Sequence, residues 1–446
     1  MTTRPETEAA DASTPKPANV SMLMGGGAIG LAVLLLSGYA LSTTRLFTFG
    51  PWLALGLCLL LLAFGLGTHR LHSRPDDPRI WVWMVLIFGI LVSAVFDKGH
   101  SPLKSALGLA AFVTCGFFLT LMIDRHTFLR RSIAAMDWIA LIGIAATVAV
   151  VYGGLHLPLS GIENSNGVTY LNGYVFFLIE ANGSLLPKAL GVFWEPGLFA
   201  SFLVFACLIE LTLMERPVNR WRVALYVAGI LLTQSTAAYL LLVPVMFVAF
   251  FRSKRKRAGL AFAASLIGCI LVYQYVGQIL HALAAYQPTV FGKLDDGGFF
   301  TETRWNSLLV NLRIFTESPF VGMGGGGASE AFSSSMSVAV RAQTTTSGFF
   351  LAALGMCGSI YTFAWVWGVS RLGHISVYAR VWFTLCLLII VNTEPHMTIL
   401  FTYCLIFYLL AWGLPSSAST GFSNTRKAWG QARAQPAPDS RRPAPA

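Results

Sequence analysis

The chain has 446 residues, of which 55% are hydrophobic and only 11% are charged, and its formal net charge is +11. A soluble domain carries roughly 25% charged residues, so this composition excludes a soluble fold and indicates a membrane protein. The basic residues form short clusters between apolar runs. That pattern is typical of membrane topology and argues against nucleic-acid binding.

Residues 1–20 are polar and predict a disordered cytoplasmic tail, and residues 414–446 predict a second one. Between them we expect a membrane domain over 21–413. Its first apolar run is long enough to span a bilayer, which argues against a cleaved secretory signal. All seven cysteines lie inside apolar runs. We therefore expect neither a disulfide framework nor a metal site.

Apolar runs of bilayer-spanning length recur through this domain. They predict an all-α, polytopic integral membrane protein with about twelve transmembrane helices. The predicted spans are 21–41, 50–67, 80–96, 104–123, 133–153, 189–214, 223–235, 238–251, 258–276, 348–368, 381–392 and 396–413.

The clusters of basic residues predict the orientation. They lie at 70–79, 125–131, 216–222, 252–257, 371–380 and 426–442. Because cytoplasmic loops are enriched in Lys and Arg, we expect these segments and both termini in the cytoplasm. The segments 223–251 and 381–413 are each basic on both flanks, so each is predicted to be a hairpin of two short helices. Their turns, at 234–236 and 392–395, are expected to line a water-filled cavity.

Two long loops, 154–188 and 277–347, are predicted to face the periplasm as lids over the membrane domain. Within the second loop, residues 303–318 have helical periodicity, with an apolar stripe opposite a polar one. This predicts a helix lying on the membrane surface. The apolar stripe contains Trp305, Leu308, Leu309, Leu312 and Phe315, and the polar stripe contains Arg304, Ser307 and Asn311. The glycines at 324–327 predict a flexible turn that acts as a hinge for the lid.

Few basic residues are predicted on the periplasmic side, so each is informative. Arg304 and Arg341 are candidate phosphate ligands, because a guanidinium group presents a planar fork of donors that matches phosphate oxygens. The alternative is a solvated or headgroup-facing charge. Arg313 is a weaker candidate because it lies off the polar stripe.

Glu195 precedes Pro196 at the predicted outer start of a spanning helix, where a carboxylate also suits the positive end of the helix dipole. It is either a helix cap or a carboxylate at the rim of a cavity, able to take a proton or bind a sugar hydroxyl. Glu394, at the tip of the last hairpin, has the same two interpretations. His396 is predicted to be a packed interfacial residue, and Glu210 is expected to pair with a nearby Arg.

Four sequence elements follow one another along these spans. They are Phe-Trp-Glu-Pro-Gly at 193–197, Leu-Leu-Thr-Gln-Ser-Thr-Ala-Ala-Tyr at 231–239, Arg304 followed by Pro-Phe-Val-Gly-Met-Gly at 319–324, and Ser-Gly-Phe-Phe at 347–350 leading to Gly355 and Gly358. In this order and topology, residues 50–413 resemble the O-antigen polymerase and ligase superfamily. The resemblance is closest to the Wzy-type polymerases of exopolysaccharide clusters.

The resemblance implies an integral-membrane glycosyltransferase that needs no metal or other cofactor. Its donor would be a glycan on undecaprenyl diphosphate, and its acceptor would be the terminal sugar of another lipid-linked repeat unit. The reaction would take place at the periplasmic face of a bacterial inner membrane. The implied partners are the lipid bilayer, a chain-length regulator and export proteins.

In such an enzyme, Arg304 and Arg341 would bind the diphosphate leaving group. Glu195 would be the general base or a sugar ligand, and Glu394 would be the second candidate carboxylate. The remaining candidate substrate-binding residues are Trp194, Arg313, Ser235 and Thr236.

Two departures from the superfamily disfavour a ligase. Thr236 stands where many ligases have Arg, and Thr-Thr-Thr-Ser at 344–347 stands where they have a His-Asn or His-Ser pair. The missing His also leaves the general base open. A flippase for lipid-linked oligosaccharide is an alternative from another class, but the chain has no two matching halves and few charges in mid-span. A structural subunit of an export complex is a further alternative.

Overall fold

The computed structural model describes residues 76–99, 101–155, 159–163, 169–173, 177–180, 188–193, 195–252, 304–335, 345–412 and 414, together with 56, 59 and 60. The predicted spans at 21–41 and 258–276 lie outside these residues, and so does nearly all of the span at 50–67. The predicted tails also lie outside them, except for residue 414.

The described part of the chain is mostly helical. Its helices are α1 (Pro78–Phe96), α2 (Pro102–Met122), α3 (Arg125–Thr147), α4 (Pro196–Leu208), α5 (Arg220–Thr233), α6 (Thr236–Phe251), α7 (Arg304–Glu317), α8 (Gly324–Ser335), α9 (Thr346–Leu354), α10 (Ser359–Ser370), α11 (Val377–Thr393) and α12 (Leu400–Leu410). Two π-helical turns, Val148–Tyr152 and Ile209–Leu213, extend α3 and α4, and a 3-10 turn, Gly355–Gly358, joins α9 to α10.

Five helical stretches are long and apolar enough to cross a membrane. They are Pro78–Phe96, Pro102–Met122, Arg125–Val151, Pro196–Leu213 and Thr346–Ser370. Each coincides with a predicted span, although the span predicted from residue 189 begins only at Pro196. The protein is therefore a mostly helical membrane protein, and the full set of about twelve spans stays a prediction.

Both predicted short hairpins are present. α5 ends where Gln234 adopts a left-handed conformation with φ 49°, and α6 begins at Thr236. α11 continues through Thr393, and a short 3-10 turn, His396–Thr398, leads into α12. α6, α11 and α12 are apolar but shorter than the five long stretches.

Helices α4, α6 and α12 run in the same direction through the bundle. They begin where Glu195, Ser235 and Glu394 lie, an end that we call the carboxylate end. They finish at Met214, Arg252 and Trp412, which line one cavity. We call this second end the basic end, because four arginines line the same cavity.

The core centres on α4 and α12, whose residues are almost all buried. Glycines let the neighbouring helices approach α12 closely. A β-carbon at Gly116 of α2 would lie 2.6 Å from the Tyr403 β-carbon, and one at Gly368 of α10 would lie 2.7 Å from the Leu409 β-carbon. Small residues are typical of such helix contacts in membranes, where close packing replaces the hydrophobic effect.

The first long loop contains an antiparallel sheet that the all-α prediction missed. Its strands, in spatial order, are β1 (Ser160–Glu163), β2 (Thr169–Asn172), β3 (Leu178–Glu180) and β4 (Lys188–Gly191). An Asn-Gly pair follows each of the first three strands, at 166–167, 172–173 and 182–183. Asn-Gly between short strands is a strong hairpin signal, so the sequence already carried this information.

Residues 304–317 form a helix as predicted, and its position on the membrane surface stays a prediction. Ser307 and Asn311 of the polar stripe are fully buried, whereas Leu309 and Leu312 of the apolar stripe are exposed. The polar stripe packs against α9 and its N-cap residue Thr345, whose hydroxyl accepts a hydrogen bond from Asn311 and lies 3.3 Å from the Ser307 hydroxyl. Leu309 and Leu312 thus face away from the protein core.

The predicted flexible turn at 324–327 is wrong, because these glycines form the first turn of α8. The Asp97 carboxylate, directly after α1, accepts hydrogen bonds from the backbone N–H groups of Gly326 at 2.9 Å and Gly327 at 2.7 Å. Gly324 has φ 76°, and a β-carbon there would overlap the Asp97 side chain. The glycines therefore serve close approach of a carboxylate to a helix N-terminus.

We expect the substitution Gly116→Ala to destabilise the protein, because the new methyl group would meet the Tyr403 β-carbon at 2.6 Å. Overpacking of this kind costs about 1–3 kcal/mol. Thermal unfolding of the detergent-purified chain measures the effect. Gly373→Ala is the matched control, because a β-carbon there meets nothing within 4 Å. Equal unfolding midpoints for the two variants would contradict the close packing of α2 on α12.

Candidate active site at the carboxylate end

The two candidate carboxylates lie at the start of α4. Glu195 is the N-cap residue of this helix and is half-buried. Glu394, in the turn after α11, is only 1% exposed. Its Oε1 atom lies so close to Gly197 that a β-carbon at Gly197 would overlap it. The fold thus brings two residues that are 199 positions apart in the sequence to the same helix N-terminus.

The position of Glu394 at a helix N-terminus has an electrostatic consequence. The first backbone N–H groups of a helix have no partner within the helix and carry a partial positive charge. A nearby carboxylate is stabilised in its charged form by that field. Pro196 has no N–H, so Gly197 supplies the first free backbone donor of α4.

Thr346, the first residue of α9, anchors the turn that carries Glu394. Its hydroxyl donates a hydrogen bond to the Glu394 carbonyl oxygen at 3.1 Å and accepts one from the His396 backbone N–H at 2.7 Å. All three residues are buried. The His396 N–H also donates to the Glu394 carbonyl oxygen at 2.9 Å, so the Thr346 hydroxyl reinforces a turn that the backbone itself closes around Pro395.

The preceding residue, Thr345, connects the same helix end to α7. The Asn311 side-chain amide donates to the Thr345 hydroxyl at 3.0 Å and to the Ser307 carbonyl oxygen at 2.8 Å. The Ser307 and Thr345 hydroxyl groups lie 3.3 Å apart. Gly348 allows this contact, because a β-carbon there would lie 2.9 Å from the Thr345 hydroxyl oxygen.

Arg304 is the first residue of α7 and lies on the same helical row as Ser307 and Asn311. That row is tied to Thr345, and the adjacent Thr346 is tied to Glu394. The helix that begins at Arg304 is thus joined by buried hydrogen bonds to the turn that holds Glu394. The side chain of Arg304, like that of Thr236, falls outside what the structure describes, as do Trp194 and Arg341 in full.

Arg313 is not brought to this cluster. Its side chain is 81% exposed and lies 4.0 Å from Glu317, one turn further along α7. Ser235 is half-buried in the turn between α5 and α6, and its backbone N–H donates to the Thr233 hydroxyl at 3.3 Å. Ser235 lies at the carboxylate end because it is the N-cap residue of α6, which begins there.

His396 is fully buried, as expected of a packed residue. Its Nδ1 atom lies 3.2 Å from the Thr402 hydroxyl, and its ring stands edge-on to Phe205 at a centroid distance of 5.7 Å. Glu210, near the basic end, accepts a hydrogen bond from Arg216 at 2.7 Å, which confirms the predicted pairing with an Arg.

The two ends of the bundle differ in how their helices are capped. Side chains cap the helices that begin at the basic end, and the capping residues are Asp77, Asp124, Asn219 and Ser376. The helices that begin at the opposite end have no capping bond from the N-cap side chain, and these residues are Ser101, Glu195, Ser235 and Thr345. Helix N-termini without a side-chain cap attract anions.

Sequence reasoning missed Thr345, Thr346 and Gly197 as parts of the site. The threonine run before α9 was visible only as a departure from the ligase pattern. Gly197 leaves room for the Glu394 carboxylate at the start of α4, and no local sequence pattern connects these two residues. Within the described ranges, no group of three His, Cys, Asp or Glu side chains could hold a metal ion.

Comparison with known proteins gives no family assignment. No family model matches the chain, and no curated protein matches it.

We expect Thr346→Val to weaken the carboxylate end, because it removes the hydroxyl that bridges Glu394 and His396 while keeping nearly the same volume. The His396 N–H keeps its 2.9 Å bond to the Glu394 carbonyl oxygen, so the loss is that of the two hydrogen bonds to Thr346, about 0.5–1.5 kcal/mol each. The measurement is thermal unfolding, combined with the rate of proteolysis at the 394–399 turn.

The control for this substitution is Thr316→Val, because the Thr316 hydroxyl bonds to the Arg313 carbonyl oxygen on the exposed face of α7. We expect the control to change the unfolding midpoint little. A Thr346→Val protein as stable as the control would show that the turn is held by other contacts.

Proposed function

We propose that this chain is an integral-membrane glycosyltransferase of a bacterial inner membrane. It joins undecaprenyl-diphosphate-linked oligosaccharide repeat units into exopolysaccharide or O-antigen. The observation that carries the proposal is that Glu195 and Glu394 both lie at the start of α4, with the helix of Arg304 tied to the turn of Glu394 by buried hydrogen bonds. The resemblance of residues 50–413 to polysaccharide polymerases supports the same activity.

The reaction requires a nucleophile, a base and stabilisation of a leaving group. A hydroxyl of the acceptor sugar attacks the anomeric carbon of the donor glycan, and its proton passes to a carboxylate. The bond between that carbon and the diphosphate oxygen breaks, and the diphosphate leaves with the electron pair. Positive charge near the diphosphate stabilises the transition state, which is the role we assign to Arg304 and Arg341.

The burial of the two carboxylates suggests different roles for them. Glu195 is half-buried, so a sugar hydroxyl has access to it, and we assign it the role of general base. Glu394 is 1% exposed and its turn is fixed by Thr346. We assign Glu394 a positioning role, in which its charge and its neighbours hold the start of α4 in place.

The partial positive charge of helix N-termini adds to the site. α6 begins at the carboxylate end without a capping bond from the N-cap side chain, whereas the start of α4 already faces Glu394 and the start of α9 is buried. An anionic lipid diphosphate is favoured beside an uncapped helix start. Trp194, Ser235 and Thr236 lie in this region of the sequence and are proposed to contact the glycan. Arg313 is left out of the proposed site, because its side chain is 81% exposed.

The proposal includes an orientation for the protein. The carboxylate end faces the periplasm and the basic end faces the cytoplasm, because basic residues are retained on the cytoplasmic side. About twelve spans would then place both termini in the cytoplasm. A chain-length regulator and export proteins are the proposed partners.

Deletion of the gene in its own host tests the reaction class. We expect single repeat units to accumulate on the lipid carrier at the periplasmic face and long polymer to be lost, as measured by sizing of lipid-linked and surface glycans. Long polymer that is made but not attached would indicate a ligase instead. Repeat units held at the cytoplasmic face would indicate a flippase and would refute the assigned site.

Arg304→Ala tests the site itself. We expect polymer formation to fall by roughly 10²–10³-fold, because one donor to the developing negative charge is lost. Arg313→Ala is the matched control on the same helix, since its side chain is 81% exposed. The assay is polymer yield at equal membrane levels of each variant. Wild-type yield from Arg304→Ala would remove Arg304 from the site.

A further inference from the structure

A cavity of about 1010 Å³ opens at the basic end of the bundle. Four arginines line it, namely Arg125, Arg216, Arg252 and Arg371, together with Glu215 and Trp412. They come from the start of α3, the segment between α4 and α5, and the ends of α6, α10 and α12. Nothing in the proposed glycan chemistry uses these residues.

Carboxylates balance only two of the four arginines. Arg216 pairs with the buried Glu210 at 2.7 Å, and Arg125 pairs with Glu215 at 3.3 Å. Across the ranges that the structure describes, neither Arg252 nor Arg371 makes an ion pair with a carboxylate. The cavity therefore has an excess of positive charge, which suits an anion with more than one oxygen acceptor.

The arginines are held in place by an aromatic side chain and by backbone groups. Arg125 stacks over the Trp412 ring, with 3.8 Å between its guanidinium carbon and the ring centroid. Arg371 donates its Nε hydrogen to the Trp412 carbonyl oxygen at 2.8 Å. His374 also stacks on Trp412, with 5.3 Å between the two ring centroids. Arg125 and Arg371 are thus positioned before any ligand binds.

We propose that this cavity binds the phosphate group of an anionic phospholipid from the adjoining membrane leaflet. Guanidinium groups match phosphate oxygens with paired donors. The apolar lining residues Met214, Pro217 and Leu414 suit the glycerol and upper acyl region of a lipid. Basic pockets between membrane helices at the cytoplasmic side are suited to anionic headgroups.

This site is separate from the candidate active site. α6 has 16 residues and leads from Ser235 to Arg252. Its length is about 24 Å at 1.5 Å per residue. The lipid would hold together the ends of α6, α10 and α12 at the basic end. The inference does not depend on the proposed glycosyl transfer.

The test is thermal unfolding of the purified, delipidated full-length protein in neutral detergent. The probes are phosphatidylglycerol, phosphatidylcholine and inorganic phosphate. We expect phosphatidylglycerol to raise the unfolding midpoint in a saturable manner, phosphatidylcholine to leave it unchanged, and inorganic phosphate to act only at far higher concentration. No effect of phosphatidylglycerol on the wild-type protein would overturn the proposal whether or not any variant folds.

The double variant R252Q/R371Q localises the effect. We expect its half-saturating concentration of phosphatidylglycerol to rise by about 10- to 30-fold, since each basic residue contributes about tenfold or less at such a surface. R130Q/R131Q is the matched control, because it removes the same charge from exposed positions of α3. Equal weakening in both double variants would show non-specific attraction and overturn the cavity as the site. Inorganic phosphate as effective as the lipid would overturn the lipid assignment.

Discussion

The carboxylate end depends on one constraint, which is that backbone groups buried in an apolar bundle must find partners without water. Between α11 and α12 the chain turns back, and the carbonyl of Glu394 and the N–H of His396 are both buried. The two groups bond to each other at 2.9 Å, and the hydroxyl of Thr346 bonds to both. Because the same hydroxyl lies at the start of α9, the turn cannot move independently of that helix. The position of the Glu394 carboxylate therefore follows from a backbone requirement.

The same device, a carboxylate placed on a helix N-terminus made accessible by glycine, occurs twice. Glu394 lies against Gly197 at the start of α4, and Asp97 accepts hydrogen bonds from Gly326 and Gly327 at the start of α8. In both places a side chain other than hydrogen would exclude the carboxylate. The consequence is that α8, from the second long loop, is joined to α1 and to the bundle. The loop that the sequence suggested as a mobile lid is thus partly built into the fold.

The two ends of the bundle differ in which charged groups lie beside the helix ends. At the basic end, capping side chains complete the helix starts, and Glu210 and Glu215 offset nearby arginines. At the carboxylate end, the start of α6 has no such cap and supplies positive potential, and Glu195 and Glu394 lie at the start of α4. An anionic substrate would be drawn to the second end by backbone dipoles and by Arg304 at the start of α7. The proposed lipid site at the first end would contribute to stability and not to chemistry.

The sequence by itself determined the membrane class, the positions of five long spans and both short hairpins. These follow from local quantities, since apolar length, turn residues and basic clusters each act within a few residues. It also contained the signal for the sheet, in three Asn-Gly pairs. Only the tertiary structure decided which face of α7 is buried. Amphipathic periodicity identifies two faces, but contact with the buried Thr345 hydroxyl, just before α9, made the polar face the inner one. The tertiary structure also brought Glu394 to Gly197 and Asp97 to Gly324. These residues are far apart in the sequence, and whether they touch depends on geometry that no local pattern encodes.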